Sequence, residues 1–152
     1  MLDISIDFLE KPDLVIGRMA ARIRTGIAAG IRRVTVAAEA VVVEEAPVRE
    51  GNLRDAIMSF IRGAGRDTEG HVVPTAPYSK YVHEGTGIYG PHGTPIVPRV
   101  KKALAFTYGG RKVVVKSVKG QKKNPFVKRA KKRLTTEGII TREFWAGFNQ
   151  GR

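Results

Sequence analysis

Apolar residues at Leu2, Ile4, Ile6 and Phe8 alternate with polar ones and predict a short strand or arm over residues 1–12, ended by Pro12. Beyond Asp13, which is suited to cap a helix, the period changes. Ile16, Ala20, Ile23, Ile27, Ile31, Val34, Ala38 and Val41 recur at steps of three and four. At 100° per residue they fall within a stripe roughly 80° wide, a narrow seam for one helix face. The spacing predicts a single helix from about 13 to 45, with Arg18, Arg22, Arg32 and Arg33 opposite the seam. Gly26 and Gly30 weaken that helix slightly or admit another backbone close to it. The β-branched runs Val34-Thr35-Val36 and Val41-Val42-Val43 argue against its last third, but the seam keeps phase. Ala46-Pro47 ends it.

Shorter elements follow. Asn52 is a good N-cap for a turn through Leu53, Ala56 and Ile57. Residues 59–62 and 71–74 read as a hairpin around Gly63, Gly65 and Gly70. Pro77 opens a short helix in which Tyr78, Tyr81 and Val82 share one face, and Gly85 and Gly87 supply the turn that stops it. Residues 85–100 form a long Gly/Pro loop. Two apolar runs, 103–108 and 112–118, flank Gly109-Gly110, a strong hairpin signal. Asn124 as cap and Pro125 at the first helical position open a last helix with Phe126, Ala130 and Leu134 on one face. The tail over 137–152 carries Ile139, Ile140, Phe144, Trp145 and Phe148, too much aromatic area to stay undocked. The fold class this predicts is α+β: a long N-terminal helix packed on a small antiparallel sheet, with short helices and a C-terminal helix.

At 152 residues the chain suggests one domain. It has no cysteine, which excludes disulfides, thiolate zinc sites and cysteine nucleophiles. No apolar run is long enough to span a bilayer, and the acidic N-terminus does not resemble an export signal. His71, His83 and His92 lack metal-ligand spacing, and no phosphate-binding glycine motif or serine elbow occurs. No cofactor, metal or catalytic residue is predicted, and an enzyme is not expected. The net charge of +13 favours contact with nucleic acid or an acidic surface. About half of the lysines and arginines lie between Arg99 and Arg133 with no acid among them. Arg18, Arg22, Arg32, Arg33, Arg111, Lys112, Lys122 and Lys123 are the candidates to face DNA phosphates or acidic partners. A monomeric nucleic-acid-binding protein is thus one reading.

Three segments point to another: Ala46-Pro47-Val48-Arg49-Glu50-Gly51-Asn52-Leu53-Arg54, then Pro77-Tyr78-Ser79-Lys80-Tyr81-Val82-His83-Glu84-Gly85-Thr86-Gly87, then Gly120-Gln121-Lys122-Lys123-Asn124-Pro125-Phe126. In this order they resemble the neck or tail-completion proteins of long-tailed bacteriophages, departing at Glu50, His83 and Glu84. The resemblance implies a structural virion protein at the head–tail junction, assembled in the host cytoplasm. It implies a homo-oligomeric ring, hexameric or dodecameric, that meets connector or stopper and tail terminator or tail tube proteins and stands close to genomic DNA, with no membrane. It marks Pro47, Gly51, Asn52, Leu53, Pro77, Tyr78, Tyr81, Val82, Gly85, Thr86, Gly87, Pro125 and Phe126 as family positions. On this reading Tyr78, Tyr81 and Val82 pack their helix onto the sheet, and Gly85 and Gly87 let the next loop swing out. Phe144, Trp145 and Phe148 reach neighbouring subunits.

Overall fold

The computed structural model describes residues 12–48 and 51–151; the alternating segment at 2–8 and Glu50 lie outside them. Helix α1 runs from Pro12 to Glu45, so the predicted helix is present over its whole length and its β-branched runs do not break it. It starts on a proline, whose missing N–H matters least in a first turn. There follow α2 (Asn52–Asp55), β1 (Ile57–Arg62), β2 (Glu69–Pro74), α3 (Ser79–Glu84), β3 (Leu104–Tyr108), β4 (Arg111–Val115), α4 (Phe126–Thr136) and α5 (Ile139–Gln150). β1 pairs with β2 and β3 with β4, giving two separate antiparallel ribbons in an α+β fold.

The chain divides into two compact units. The first contains α1 as far as Ala40, residues 59–72 and residues 134–151; the second contains 41–58 and 73–133. No linker separates them, because the boundary falls inside α1 and each unit is assembled from distant segments.

In the first unit, α1 and α5 meet backbone to backbone. A Cβ on Gly26 would lie 2.7 Å from the Phe148 ring, and one on Gly30 would lie 2.8 Å from the Phe144 ring and carbonyl. In return, a Cβ on Gly147 would lie 2.6 Å from the Ala29 carbonyl oxygen, and one on Gly151 2.8 Å from Ala29 Cβ. Glycines four apart on both partners open notches: those of α1 receive Phe144 and Phe148, and Gly147 and Gly151 admit Ala29. The close approach suggested by Gly26 and Gly30 is realised by the apolar tail itself, which forms α5.

This contact covers a flank of α1 beside the isoleucine seam. Gly26 and Gly30 are buried; along the seam Ile16 and Ile23 are 65% and 48% exposed, Ala20, Ile27, Ile31, Val34 and Ala38 are half-buried, and Val41 is buried. On another flank, buried Thr35 donates to the Ile31 carbonyl at 2.8 Å and sits against Gly70 of β2. Glu39 accepts a hydrogen bond from Ser59 of β1.

The second unit holds most of the bulky buried side chains: Val41, Val42, Leu53, Ile57, Val82 and Phe126, the last with no exposed surface. Its α1 terminus is closed by cations. The last carbonyls of a helix lack intrahelical donors and carry partial negative charge. Arg54 donates to the Glu44 and Ala46 carbonyls at 3.2 and 3.1 Å. Arg129 donates to the Glu45 carbonyl and carboxylate at 2.9 Å each, and Arg133 to the Glu44 carboxylate at 2.6 Å.

Two predicted caps are corrected. Gly51, in the left-handed region at φ 84°, precedes α2 in place of Asn52. The Asn124 side chain does not cap α4: its Oδ1 is buried without a protein partner. The turn before α4 closes through the Asn124 carbonyl, which accepts from the Phe126 N–H at 2.8 Å.

The glycine notches give a paired test. Gly147→Ala should destabilise the fold by about 1–3 kcal/mol, since the new methyl meets backbone. Gly17→Ala, on the same α1 but with nothing within 4 Å, should stabilise by about 0.5–1 kcal/mol. Chemical denaturation of the two variants measures both signs.

Candidate functional site

The three family-like segments come together in the second unit. Gly51 turns the chain so that Leu53 enters the core and Arg54 closes α1. Val82, from α3, is buried, and its carbonyl accepts from the Asn124 N–H at 2.9 Å. The His83 ring meets Phe126 edge-on at 5.6 Å, and His83 Nδ1 is buried without a protein partner. A cleft of ≈ 350 Å³ is lined by Pro47, Asn52, Leu53, Tyr78, Val82 and Gln121, so all three segments contribute to one surface.

The glycine turn after α3 is locked. Gly85 and Gly87 have φ 81° and 62°, and Gly120 φ 90°. A Cβ on Gly87 would run into the Lys119 carbonyl, and one on Gly120 into the Thr86 carbonyl. Only glycine fits both counts at these positions. The Thr86 N–H donates to the Gln121 carbonyl at 2.9 Å, Ile88 to Lys119 at 2.9 Å, and the Gln121 N–H to Thr86 Oγ1 at 2.8 Å. Ile96 and Val118 exchange two more backbone hydrogen bonds. The first turns of the 85–100 stretch are therefore held against 118–121 and do not swing out as expected from their glycines.

The shared face predicted for α3 is also corrected. Val82 is 9% exposed, but Tyr78 and Tyr81 are 42% and 60% exposed. Tyr78 precedes the helix, and Tyr81 points its ring to the surface. Neither tyrosine is a packing anchor. Pro77 is exposed, while Pro125 precedes α4 with its carbonyl accepting from Arg129.

The basic candidates separate. In the second unit, Arg111 and Lys112 open β4 beside the Gly109-Gly110 turn, and Lys122 Nζ lies 5.9 Å from the Tyr89 ring centre. Lys123 is exposed, and its backbone N–H lies beside Gly85. The β3–β4 ribbon pairs Leu104 with Val115, Phe106 with Val113 and Tyr108 with Arg111. Phe106, Tyr108 and Val114 are all exposed.

In the first unit, Arg18, Arg22 and Arg32 are on exposed turns of α1, and Arg33 is committed. Its Nε donates to Glu143 of α5 at 2.8 Å, and Arg142 donates to the same carboxylate at 3.1 Å. The Arg33 guanidinium, then Arg142, hold Glu143 below the usual carboxylate range. Arg33 and Glu143 edge an open groove of ≈ 790 Å³ along α1 and α5, lined by Ala28, Ala29, Val36, Ala37, Ala40 and Gly147. Of the C-terminal aromatics, Phe144 and Phe148 are half-buried on this chain's own α1, and Trp145 is half exposed.

Among the described residues no group of three His, Asp or Glu is placed to hold a metal, and no helix is long and apolar enough to cross a membrane. His71 stacks on Phe60 at 4.9 Å beside Glu69. Two residues with clear structural roles, Arg54 and Glu143, did not stand out in the sequence. A cation just beyond a predicted helix end was the available signal for Arg54; Glu143 had none. The chain matches no protein-family model, no curated protein and no solved structure.

Val82→Ala should cost about 1–3 kcal/mol of stability, whereas Tyr81→Ala should change it by less than about 0.5 kcal/mol. Equal losses in thermal or chemical unfolding would contradict a buried Val82 beside an exposed Tyr81. For Glu143, a depressed folded pKa contributes stability above the unfolded value, about 4.3, and that contribution disappears as pH falls through the folded value. Glu143→Gln should therefore flatten the acid limb of a stability–pH curve below about pH 4.3; superimposable limbs would refute the pairing.

Proposed function

We propose that the protein is a structural subunit of the bacteriophage head–tail junction, a neck or tail-completion protein that assembles as a closed ring of six or twelve copies. The observation that carries this reading is the convergence of the three family-like segments. Positions far apart in sequence build one cleft and one locked glycine turn, which is what a shared fold would require of a motif spread over the chain. Pro47, Gly51, Leu53, Val82, Gly85, Thr86, Gly87 and Phe126 each have a physical role in that junction.

Two further features suit a subunit completed by neighbours. An isolated two-stranded ribbon is marginal in water, yet β3–β4 exposes Phe106, Tyr108 and Val114. The first unit leaves Ile16, Ile23 and Val36 on its surface. In this reading closed cyclic symmetry covers such faces, and the basic residues of α1 and β4 meet DNA or an acidic neighbouring ring in the virion.

A second reading, a basic protein that binds duplex DNA through phosphates, is favoured by the exposed, acid-free β3–β4 ribbon with Arg111 and Lys112 at its turn. Native mass spectrometry or light scattering near physiological salt distinguishes them. The proposal expects a six- or twelve-fold species, and weak binding of short duplexes by free subunits. A monomer at every concentration, binding duplex DNA with affinity that drops by orders of magnitude from low to moderate salt, would overturn it in favour of the second reading.

A further inference from the structure

The open groove along α1 and α5 is apolar in its lining, and at its edge stand Arg32 and the paired Arg33 and Glu143. Ala28, Ala29, Val36, Ala37 and Ala40 of α1 line it, and Val36 is 66% exposed. Small side chains along a helix leave a shallow trough that another chain segment, but not a compact solute, fills along its length. Arg32 edges the trough and is exposed. An occupant must therefore be extended, apolar on one side and acidic on the other.

One stretch of this protein has that chemistry. Residues 1–10 contain Asp3, Asp7 and Glu10 and no lysine or arginine, in a chain whose net charge is +13. Leu2, Ile4, Ile6 and Phe8 alternate with Asp3, Ser5 and Asp7, so in an extended conformation the apolar side chains share one face and the acids the other. The other acidic stretch, 39–45, is committed: Glu39 accepts from Ser59, and Glu44 and Glu45 pair with Arg133 and Arg129.

Reach decides which copy supplies the segment. The groove begins near Thr25, thirteen residues and roughly 20 Å along α1 from Pro12. A chain turning back at Pro12 spans at most about 3.3–3.6 Å per residue. Phe8, four residues before Pro12, falls short of Thr25, and Ile6 barely arrives. Folded back on its own helix, the segment could bring Leu2 about level with Val36 but would leave Phe8 outside the groove, whereas from another molecule the whole apolar face has access.

We propose that residues 2–9 of one copy lie in the α1–α5 groove of a neighbouring copy, with Leu2, Ile4, Ile6 and Phe8 against the alanines and Asp3 and Asp7 toward Arg32. This rests on the proposed self-association into a ring and names the contact that links successive subunits. Handing this segment to the next copy is a heterologous contact, the kind that closes rings.

The absence of native cysteine makes a direct test simple. Full-length Ile4→Cys and Val36→Cys variants, each alone and then mixed, are oxidised under mild conditions, with Thr107→Cys replacing Val36→Cys as the control for random collision. The expected result is a disulfide-linked dimer from the Ile4→Cys and Val36→Cys mixture that forms at least tenfold faster than from the control mixture. Val36→Glu, which alters an exposed side chain, should keep the circular dichroism of the parent while reducing its oligomer population at least tenfold. A mixture that cross-links no faster than the control overturns the inference. So does a double Ile4→Cys/Val36→Cys chain that closes only on itself. If the ring persists in either case, the proposed assembly stands and only this contact falls; if the protein is also monomeric throughout, both fall.

Discussion

Close backbone approach through glycine is the constraint on which both units of this protein depend. Phe126 is the single large side chain that is wholly buried among the described residues, and the aliphatic side chains around it, Val41, Val42, Leu53, Ile57 and Val82, are buried beside these glycine contacts. In the first unit the notches at Gly26, Gly30, Gly147 and Gly151 bring α1 and α5 together. In the second, Gly85, Gly87 and Gly120 press one loop against another until their peptide groups pair. Dispersion contacts of this kind are individually small but numerous, and they vanish when a methyl group forces the surfaces apart.

Around those contacts the charges are arranged for two different purposes. Arg54 and Arg129 serve the fold, because they meet carbonyls that α1 cannot satisfy by itself. Arg33 ties α5 to α1 through Glu143. Arg32, Arg111 and Lys112 stand apart from these closures, and their exposure on α1 and on the β3–β4 turn is what leaves them available to a partner. The net charge of +13 thus overstates the surface open to anions, since part of it is consumed in closing helix ends and holding helices together.

Much of the architecture could be read from spacing. The Gly109-Gly110 pair, both at positive φ (58° and 76°), produced the expected hairpin because a two-residue turn of that hand admits little else. The α4 face of Phe126, Ala130 and Leu134 is buried as its period predicts. What spacing did not disclose was which neighbour each face would meet. The isoleucine seam of α1 has correct periodicity but lies beside the contact, because the glycines at 26 and 30 offer α5 a closer approach than any isoleucine. Tyr81 and Val82 are adjacent and so lie 100° apart around the helix, and in a helix of six residues only Val82 falls on the covered side. The family-like segments were visible only as strings; that Arg54 in the first of them closes α1 needed three dimensions.

The β3–β4 ribbon has an implication for how the molecule responds to load and solvent. Its register is held by its own cross-strand pairs, and both outer strand edges carry amide groups with no strand beside them among the described residues. Opening such a ribbon disrupts few contacts elsewhere, so its amide protons should exchange through local fraying well before those of α4 or the glycine-locked turn. The same unpaired edges are templates for a third strand. Whichever chain supplies that strand would convert a fraying finger into a stiff one without altering a single residue of the core.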